Sequence, residues 1–169
     1  MSTHSARHRP SAFVERSVTR IALVTGLVLD IPCGRCRHAL ALNRIGLRVV
    51  AADLDIATLH SSANIEPGLM RVQLDANRDL PFLPGIFDLA IVVHPHTLGL
   101  LATVPLIVRP GGYLILETFG AHGHNWRRLP RPGEVSDRLS SDFEILEYAE
   151  RRVHNEPPAV TVKALFRKR

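Results

Sequence analysis

The sequence predicts an α/β fold in which a mostly parallel sheet of about seven strands lies between two layers of helices. Short apolar runs rich in β-branched residues alternate with helical stretches along the chain, a rhythm typical of parallel sheets. The run Phe87–Val93 is nearly all apolar, as expected for a strand covered on both faces. The last two runs, Phe143–Arg152 and Ala159–Arg167, have no helical stretch between them, which predicts an antiparallel hairpin at one edge of the sheet.

The remaining strands and the helices follow from the same alternation, since turn residues or a change of periodicity bound each apolar run. The other predicted strands are Leu23–Asp30, Leu47–Leu54, Leu69–Leu74 and Tyr113–Thr118. The predicted helices are Arg35–Ile45, Ile56–Ala63 and Leu98–Val108. Gly46 suits the end of the first helix, and Pro105 predicts a bend or break in the last.

Length and composition predict one globular domain. The chain has 169 residues and a mass of 18.7 kDa, and domains hold about 100–200 residues. Hydrophobic residues make up 46% and charged residues 22%, which excludes a disordered or fibrous chain. Two cysteines are too few for a disulfide-rich secreted scaffold. The net charge of +5 is compatible with an acidic partner or with a basic proteome, so it selects no function by itself.

The N-terminal region, residues 1–20, is predicted to be a flexible arm ahead of a single domain over residues 21–169. The arm is rich in Arg, His and Ser and lacks the long apolar core of a secretory signal. The run Ile21–Leu29 is far shorter than the roughly 20 residues needed to span a bilayer. We therefore expect a cytoplasmic protein with no membrane partner. An Arg-rich, acid-poor start is also compatible with an organelle transit peptide.

The loop after the first strand is the first candidate for a ligand site. In open α/β sheets, ligands bind beyond the carboxyl ends of the strands, close to where the strand order reverses. This loop runs from Asp30 into the first predicted helix and contains Gly34, which lets a ligand approach the backbone. The start of the helix adds free N–H groups that favour an anionic group.

The sequence of this loop matches a known signature. With one departure, the stretch Asp30–Leu42 follows the pattern D-x-x-C-G-x-G-R-H-A-L-A-L. In this it resembles the small, single-domain class I S-adenosylmethionine-dependent methyltransferases. The likeness continues in order along the chain, with Asp53, Asp75 and the turn Arg109–Gly112. The resemblance covers roughly residues 27–119 and implies a three-layer Rossmann-like methyltransferase fold.

The resemblance also implies S-adenosylmethionine as the cofactor, S-adenosylhomocysteine as its product, and methyl transfer as the activity. Asp53 ends the second strand, where the family's acid binds the ribose hydroxyls, and a carboxylate accepts two hydrogen bonds from a vicinal diol. Asp75 ends the third strand, where the family places an acid near the adenine amino group. The cofactor residues implied in this way are Asp30, Pro32, Cys33, Gly34, Cys36, Asp53, Leu54, Asp75, Ala76 and His94.

The family's loop usually carries three glycines, and this loop has another residue at two of those positions. Pro32 replaces the first, which some members tolerate, and Cys36 replaces the last, where the helix begins beneath the cofactor. The Cβ and sulfur of Cys36 are expected to crowd the cofactor or to shift it slightly. The alternative function is therefore a non-catalytic S-adenosylmethionine-binding module or a partner subunit.

Cys33 and Cys36 also form a C-x-x-C pair at a strand-to-helix turn, a pattern typical of thioredoxin-like redox proteins. A helix N-terminus lowers the pKa of a thiol and favours attack by the thiolate. The many strand–helix units and the acids that end strands two and three disfavour that interpretation. The simpler interpretation is that Cys33 is a small buried residue and Cys36 a chance replacement. A third hypothesis is a disulfide that forms under oxidation and reshapes the loop.

The remaining candidates lie after the fourth and fifth strands. His94 is placed to accept a proton from an acceptor near neutral pH and is the candidate catalytic residue. The candidate substrate residues are His96, Glu117 and Arg131. His94 and His96, with the second pair His122 and His124, would supply four nitrogens to a metal. No other spacing supports such a site, so no metal is predicted.

Acceptor choice is expected to fall to the segment Gly120–Gly133, the one long irregular stretch, and to the N-terminal arm. We expect a small-molecule acceptor, because the sheet and its helices use most of the chain. Arginines 127, 128 and 131 beside Trp126 would also suit the phosphate and base of a nucleic acid, but no RNA-binding module accompanies them. A solvated basic loop is the simpler alternative. The sequence is also compatible with a homodimer.

Overall fold

The computed structural model describes residues 9–55, 66–95, 98–121, 129–153 and 159–169. The strands are β1 (Leu27–Asp30), β2 (Arg48–Asp53), β3 (Leu69–Gln73), β4 (Phe87–Val93), β5 (Val108–Gly120), β6 (Phe143–Val153) and β7 (Ala159–Lys168). The helices are α1 (Ala12–Ile21), α2 (Arg37–Arg44), α3 (Leu100–Ile107) and α4 (Glu134–Leu139). The predicted helix Ile56–Ala63 lies outside the described residues.

The strands form one sheet in the order β3-β2-β1-β4-β5-β7-β6. The first five strands in that order are parallel, and β7 is antiparallel to both β5 and β6. Leu29 in β1 lies opposite Val50 of β2 on one side and Ala90 of β4 on the other, and the strand order reverses between β1 and β4. The predicted seven-stranded sheet, with its antiparallel hairpin at one edge, is confirmed.

Helices cover both faces of the sheet, so that each face has its own hydrophobic core. One core forms against α1 and α2 and includes Phe13 and Ala39. The other forms against α3 and α4 and includes Leu101 and Leu139. Strand β4 contributes to both cores, because successive side chains point to opposite faces and all of residues 89–93 are buried.

Helix α1 is the main correction to the predicted fold. The flexible arm predicted over residues 1–20 is wrong for residues 12–20, which belong to this helix. The Ser11 side chain accepts hydrogen bonds from the N–H groups of Phe13 and Val14, which the start of a helix would otherwise leave unpaired. Phe13, Val14 and Val18 are buried on one helical face. Packing of that face orders a segment whose Arg- and Ser-rich composition favours disorder.

Strand β1 begins at Leu27, later than the predicted Leu23. The cause is Asp88, whose carboxylate accepts a hydrogen bond from the Leu27 N–H at 2.7 Å and pairs with Arg109 at 2.7 Å. Gly26 has a φ of 141°, and a Cβ there would lie 2.6 Å from Asp88 Oδ2. The chain passes so close to Asp88 that only glycine fits, and the strand starts just after it.

Further differences from the predicted elements are small. Strand β5 begins at Val108 rather than Tyr113, and α2 begins at Arg37 rather than Arg35. The short helix α4 was not predicted. Across the described ranges, no helix has the length and apolar character needed to cross a membrane.

We expect Phe13→Ala to lower the free energy of unfolding by about 3–5 kcal/mol, because it leaves a cavity between α1 and the sheet. Equilibrium unfolding in urea measures this loss. Leu106→Ala is the matched apolar control, since Leu106 is 66% exposed on α3 and its truncation should change stability by about 0.5 kcal/mol or less. Equal losses in the two variants would contradict the packing of α1.

Candidate functional site

A cavity lies at the edge of the sheet where the parallel strands β1 to β4 end. Because carboxyl ends of parallel strands meet at one edge, the loops that follow them converge there, beside the reversal of strand order between β1 and β4. The cavity is lined by Pro32, Asp53, Leu54, Asp55, Asp75, Ala76, Asn77, Pro95 and Leu100.

The loop between β1 and α2 turns sharply. Gly34 and Cys36 both have left-handed backbones, with φ angles of 50° and 57°. Glycine adopts this conformation readily, whereas Cys36 does so at a cost of about 1–2 kcal/mol. The Cys36 N–H donates to the Cys33 carbonyl at 2.9 Å, which closes the turn. A Cβ added at Gly34 would meet no described atom within 4 Å, so this stretch of backbone faces open space.

Asp53, at the end of β2, holds this loop in place. Its Oδ2 accepts a hydrogen bond from the Gly34 N–H at 2.8 Å, and its Oδ1 accepts one from the Asp55 N–H at 3.1 Å. Each carboxylate oxygen accepts more than one hydrogen bond. Asp53 therefore joins the ends of β1 and β2 and retains acceptor capacity at the cavity wall.

Asp75 follows β3 and also lines the cavity. Its Oδ1 accepts hydrogen bonds from the backbone N–H and the side-chain amide of Asn77, each at 2.9 Å, and Arg78 Nε lies 3.5 Å from its Oδ2. The backbone hydrogen bond from Asn77 is the largest influence that lowers the pKa of Asp75 below its ordinary value, and Arg78 adds to it. Asp75 is therefore an ionised acceptor at neutral pH.

Asp30 is fully buried at the end of β1, under the loop. Its Oδ2 accepts a hydrogen bond from the Ala39 N–H at 3.0 Å, which fixes the first turn of α2 to the strand. Its Oδ1 has no hydrogen-bond partner among the described residues and lies 3.7 Å from Nδ1 of His38. A buried acceptor with one unsatisfied oxygen therefore stands beside the start of α2.

A chain of polar side chains, Asp30–His38–Ser11–Glu117–Lys163, connects this aspartate to β7. His38 is buried and accepts a hydrogen bond at Nε2 from the Ser11 N–H at 3.3 Å. The Ser11 hydroxyl donates to the Glu117 carboxylate, which pairs with Lys163 at 3.2 Å. Because Nε2 of His38 accepts this hydrogen bond, Nδ1, the ring nitrogen nearer Asp30, is the one that carries a proton. The polar chain thus attaches the start of α1 to the ends of β1 and β5.

His94 directly follows β4 and has an unusual backbone, with a φ of 52°. Its N–H donates to the Glu117 carbonyl at 2.8 Å, and its ring stacks on Phe119 with centroids 4.6 Å apart. Partial desolvation is the main cause that lowers the pKa of His94; the charge of Glu117 opposes it, and those of Arg37 and Lys163 reinforce it. His94 is therefore neutral at pH 7 and able to accept a proton.

Cys33 and Cys36 lie together under the loop as free thiols. Their Sγ atoms are 3.7 Å apart, and the residues are 4% and 0% exposed. Cys36 packs in the same core as Ala39, so its sulfur points into the protein interior. The crowding of a cofactor by this side chain remains a prediction.

The structure brings several of the predicted residues to one cavity wall. Those that line it are Pro32, Asp53, Leu54, Asp75 and Ala76. Those that form or underlie the adjoining loop are Asp30, Cys33, Gly34 and Cys36. His94 precedes the lining residue Pro95, and Glu117 belongs to the polar chain. Arg131 lies in the turn before α4, where its N–H donates to Glu134 Oε2 at 2.8 Å, and it is not part of the cavity lining.

Other predicted candidates lie outside the described residues. They are His96, His122, His124, Trp126, Arg127 and Arg128. Within the described part of the chain, no group of three or more His, Cys, Asp or Glu side chains is arranged to hold a metal ion.

The sequence did not mark four lining residues, Asp55, Asn77, Pro95 and Leu100. The first three directly follow predicted residues, so a slight extension of each motif identifies them. Leu100 belongs to α3, and its place depends on how that helix packs. Ser11 and His38 of the polar chain are 27 positions apart, and no local pattern marks such a contact.

A family model described as the methyltransferase domain matches residues 29–116, just over half of the chain. The chain belongs to this family. The matched region begins in β1 and ends in β5, so it includes the loop after β1 and the three cavity acids Asp53, Asp55 and Asp75. The resemblance to class I S-adenosylmethionine-dependent methyltransferases is confirmed.

Solved structures share the fold of this methyltransferase domain. TehB from Haemophilus influenzae has a TM-score of 0.76 and 17% identity, over 95% of this chain and 63% of that protein. An S-adenosylmethionine-dependent methyltransferase from Methanosarcina mazei has a TM-score of 0.74 and 17% identity, over 95% and 98% of the two chains. The domain therefore spans less than two thirds of TehB and nearly all of the Methanosarcina protein.

A third similar structure is the 1,6-didemethyltoxoflavin-N1-methyltransferase of Burkholderia thailandensis, solved with 1,6-didemethyltoxoflavin and S-adenosylhomocysteine bound. Its TM-score is 0.68 and its identity 19%, over 93% of this chain and 78% of that one. At these identities the likeness shows the Rossmann-like methyltransferase fold alone. No curated protein sequence matches this chain.

We expect His94 to titrate below about 6.5, the ordinary value for histidine, in a proton NMR experiment. Phe119→Ala should raise that pKa toward the ordinary value, because water replaces the stacked ring. Phe119→Leu, which keeps an apolar cover, should shift it less. A histidine whose pKa is lower in the folded protein than in the unfolded chain contributes to the free energy of unfolding. That contribution is complete above the ordinary pKa and is lost as the pH falls through the pKa of the folded state. An unchanged midpoint in Phe119→Ala would contradict this assignment.

Proposed function

We propose that the protein is an S-adenosylmethionine-dependent methyltransferase that transfers a methyl group to a small-molecule acceptor. The observation that carries the proposal is the cavity at the carboxyl edge of the sheet. Its wall combines Asp53 at the end of β2, Asp75 after β3 and Pro32 in the loop after β1. The family match over residues 29–116 supports the proposal, because members of that family share this arrangement of strands and loops.

The lining residues fit the adenosine part of the cofactor. Leu54, Ala76, Pro95 and Leu100 give the cavity apolar walls, which suit an aromatic base. The Asp53 carboxylate is held in place by the Gly34 N–H and has acceptor capacity for two neighbouring hydroxyls. Asp75 is an ionised acceptor suited to an exocyclic amino group. The donor and acceptor set therefore matches a nucleoside with a free diol.

The loop after β1 fits the remaining part of the cofactor. Gly34 presents open backbone beside the cavity, so a ligand approaches it without meeting a side chain. Asp30 lies below the loop and holds the start of α2 through the Ala39 N–H, and the start of a helix carries backbone N–H groups and partial positive charge. These groups favour a carboxylate at this end of the site.

For methyl transfer, the protein mainly has to bind and orient the cofactor and the acceptor. When bound, S-adenosylmethionine supplies an electrophilic methyl group, since the methyl carbon is attached to a positively charged sulfur. The chain has to exclude water and align an acceptor, and proximity supplies much of the acceleration. His94 is neutral at pH 7 and lies at the end of β4. We therefore assign it as the base that removes a proton from the molecule to be methylated.

A small-molecule acceptor is favoured by the surroundings of His94. The Phe119 ring stacks on the imidazole and is 44% exposed, so it offers an apolar surface beside the proton-accepting nitrogen. The Burkholderia thailandensis methyltransferase of similar fold was solved with a small heterocycle, 1,6-didemethyltoxoflavin. Both observations support a compact, partly apolar acceptor.

The second candidate function is a cofactor-binding module without catalysis. The left-handed Cys36, in place of a glycine, is the observation that favours it. The two functions predict the same binding of cofactor and differ only in turnover. Methyl transfer measured with labelled S-adenosylmethionine against a broad panel of small acceptors therefore separates them.

Calorimetry tests the cofactor site directly. We expect saturable binding of S-adenosylmethionine and of S-adenosylhomocysteine, and a loss of about 10- to 100-fold in affinity for Asp53→Ala, since hydrogen bonds to a charged group contribute about 1.5–3 kcal/mol. Asp142→Ala is the charge-matched control, because Asp142 pairs with Lys168 next to the start of β6, away from the cavity. Folded protein that binds neither compound would contradict the proposed function and the second candidate alike.

The role of His94 is tested by turnover once an acceptor is found. His94→Ala should lower the rate of methyl transfer about 100-fold or more, since a positioned base contributes about 10²–10⁴-fold, while cofactor affinity changes far less. The wild-type rate should also fall as the pH drops below about 6.5 and His94 becomes protonated. A rate that is unaffected by the substitution would contradict the assignment of His94 as the base.

A further inference from the structure

The chain's two cysteines lie side by side in the loop that borders the cofactor cavity. Cys33 Sγ and Cys36 Sγ are 3.7 Å apart and share a hydrogen bond as free thiols. Both residues are buried, and Cys33 retains 4% exposure. Neither side chain is needed to line the cavity wall. The pair is therefore a nucleophilic cluster that methyl transfer does not use.

The backbone between Cys33 and Cys36 is hydrogen-bonded to a residue of the cavity wall. Gly34 follows Cys33, and its N–H is the donor that Asp53 Oδ2 accepts at 2.8 Å. Cys36 is the residue from which α2 starts, with the Leu40 N–H bonded to its carbonyl at 2.8 Å. A disulfide would therefore constrain the stretch of backbone that carries both the Gly34–Asp53 hydrogen bond and the start of α2.

We propose that Cys33 and Cys36 form a reversible intramolecular disulfide under hydrogen peroxide, and that this bond weakens binding of the cofactor. The effect on the cofactor rests on the proposed function. A disulfide bond is about 2.05 Å long, so the sulfurs have to approach by roughly 1.7 Å from their separation of 3.7 Å.

The chemistry balances with peroxide as the oxidant. One sulfur, as a thiolate, attacks a peroxide oxygen and breaks the O–O bond, giving a sulfenic acid and a hydroxide that takes up the proton released from the thiol. The second thiol then attacks the sulfenic sulfur, the S–O bond breaks, and water leaves. In sum, two thiols and one hydrogen peroxide give one disulfide and two waters. A small dithiol reverses the bond by exchange.

The environment of Cys36 supports this reactivity. A hydrogen bond from the Cys33 thiol is the largest influence that lowers the pKa of Cys36, and the charge of Arg71 adds to it. Burial and the charge of Asp30 act in the opposite direction. The pKa of Cys33 is raised, because that thiol donates to Cys36 and is itself buried. The two thiols therefore differ in acidity, and Cys36 is the one whose pKa is lowered.

The test compares the reduced and oxidised full-length protein. After peroxide treatment and removal of the oxidant, intact mass should fall by about 2 Da, and both cysteines should resist alkylation even in denaturant, where those of the reduced chain react. Calorimetry should then show that affinity for S-adenosylmethionine falls about tenfold or more, and that dithiothreitol restores it. Cys33→Ser and Cys36→Ser each remove one partner, so the affinity of either variant, whatever its starting value, should not change with peroxide. Cys36→Gly serves the same purpose if a serine variant fails to fold.

The outcomes separate the switch from the proposed function. A chain with an intramolecular disulfide shown by mass, and an affinity equal to that of the reduced chain, would overturn the switch. Failure of the disulfide to form under peroxide that oxidises the methionines would overturn it as well. Reduced, folded protein that binds no S-adenosylmethionine would instead overturn the proposed function, and with it any effect of the disulfide on cofactor binding. In that case the intact mass would still report whether the disulfide forms.

Discussion

The hydrogen bond from the Gly34 N–H to the Asp53 carboxylate is the contact on which the rest of the site depends. It joins the loop after β1 to the end of β2 at the edge where the parallel strands finish. With the loop held in this way, Cys36 begins α2 in a left-handed conformation, and Asp30 accepts the N–H of Ala39 in the first helical turn. The cavity wall, the thiol pair and the start of α2 therefore share one stretch of backbone.

Much of the fold and the cavity could be predicted from the sequence, because the features that decide them are local. An apolar run such as Phe87–Val93 indicates a covered strand without knowledge of its neighbours, and the missing helix between β6 and β7 predicts their antiparallel pairing. Asp53 and Asp75 are recognisable because each lies at or just beyond the end of a predicted strand. Parallel pairing then brings such residues to one edge, and five of the predicted cofactor residues line the same cavity.

The features that could not be predicted depend on contacts between distant parts of the chain. The composition of residues 12–20 favours disorder, and only burial of Phe13 against the sheet makes α1 stable. Ser11 and Glu117 are 106 positions apart, so no pattern in the sequence around either residue predicts their hydrogen bond. The left-handed conformation of His94 is a further example, since a histidine after a strand gives no indication of its backbone angle.

The two ends of the described chain lie at opposite edges of the sheet. Arg167 pairs with Tyr113 near the start of β5, whereas Ser11 contacts His38 and Glu117 beside the cavity. For anyone who immobilises the protein on a sensor surface or attaches a fluorophore, a linker placed after Arg169 leaves the cavity facing the solution. A linker that enters just ahead of Ser11 stands next to the polar chain, where its bulk competes with whatever approaches His94.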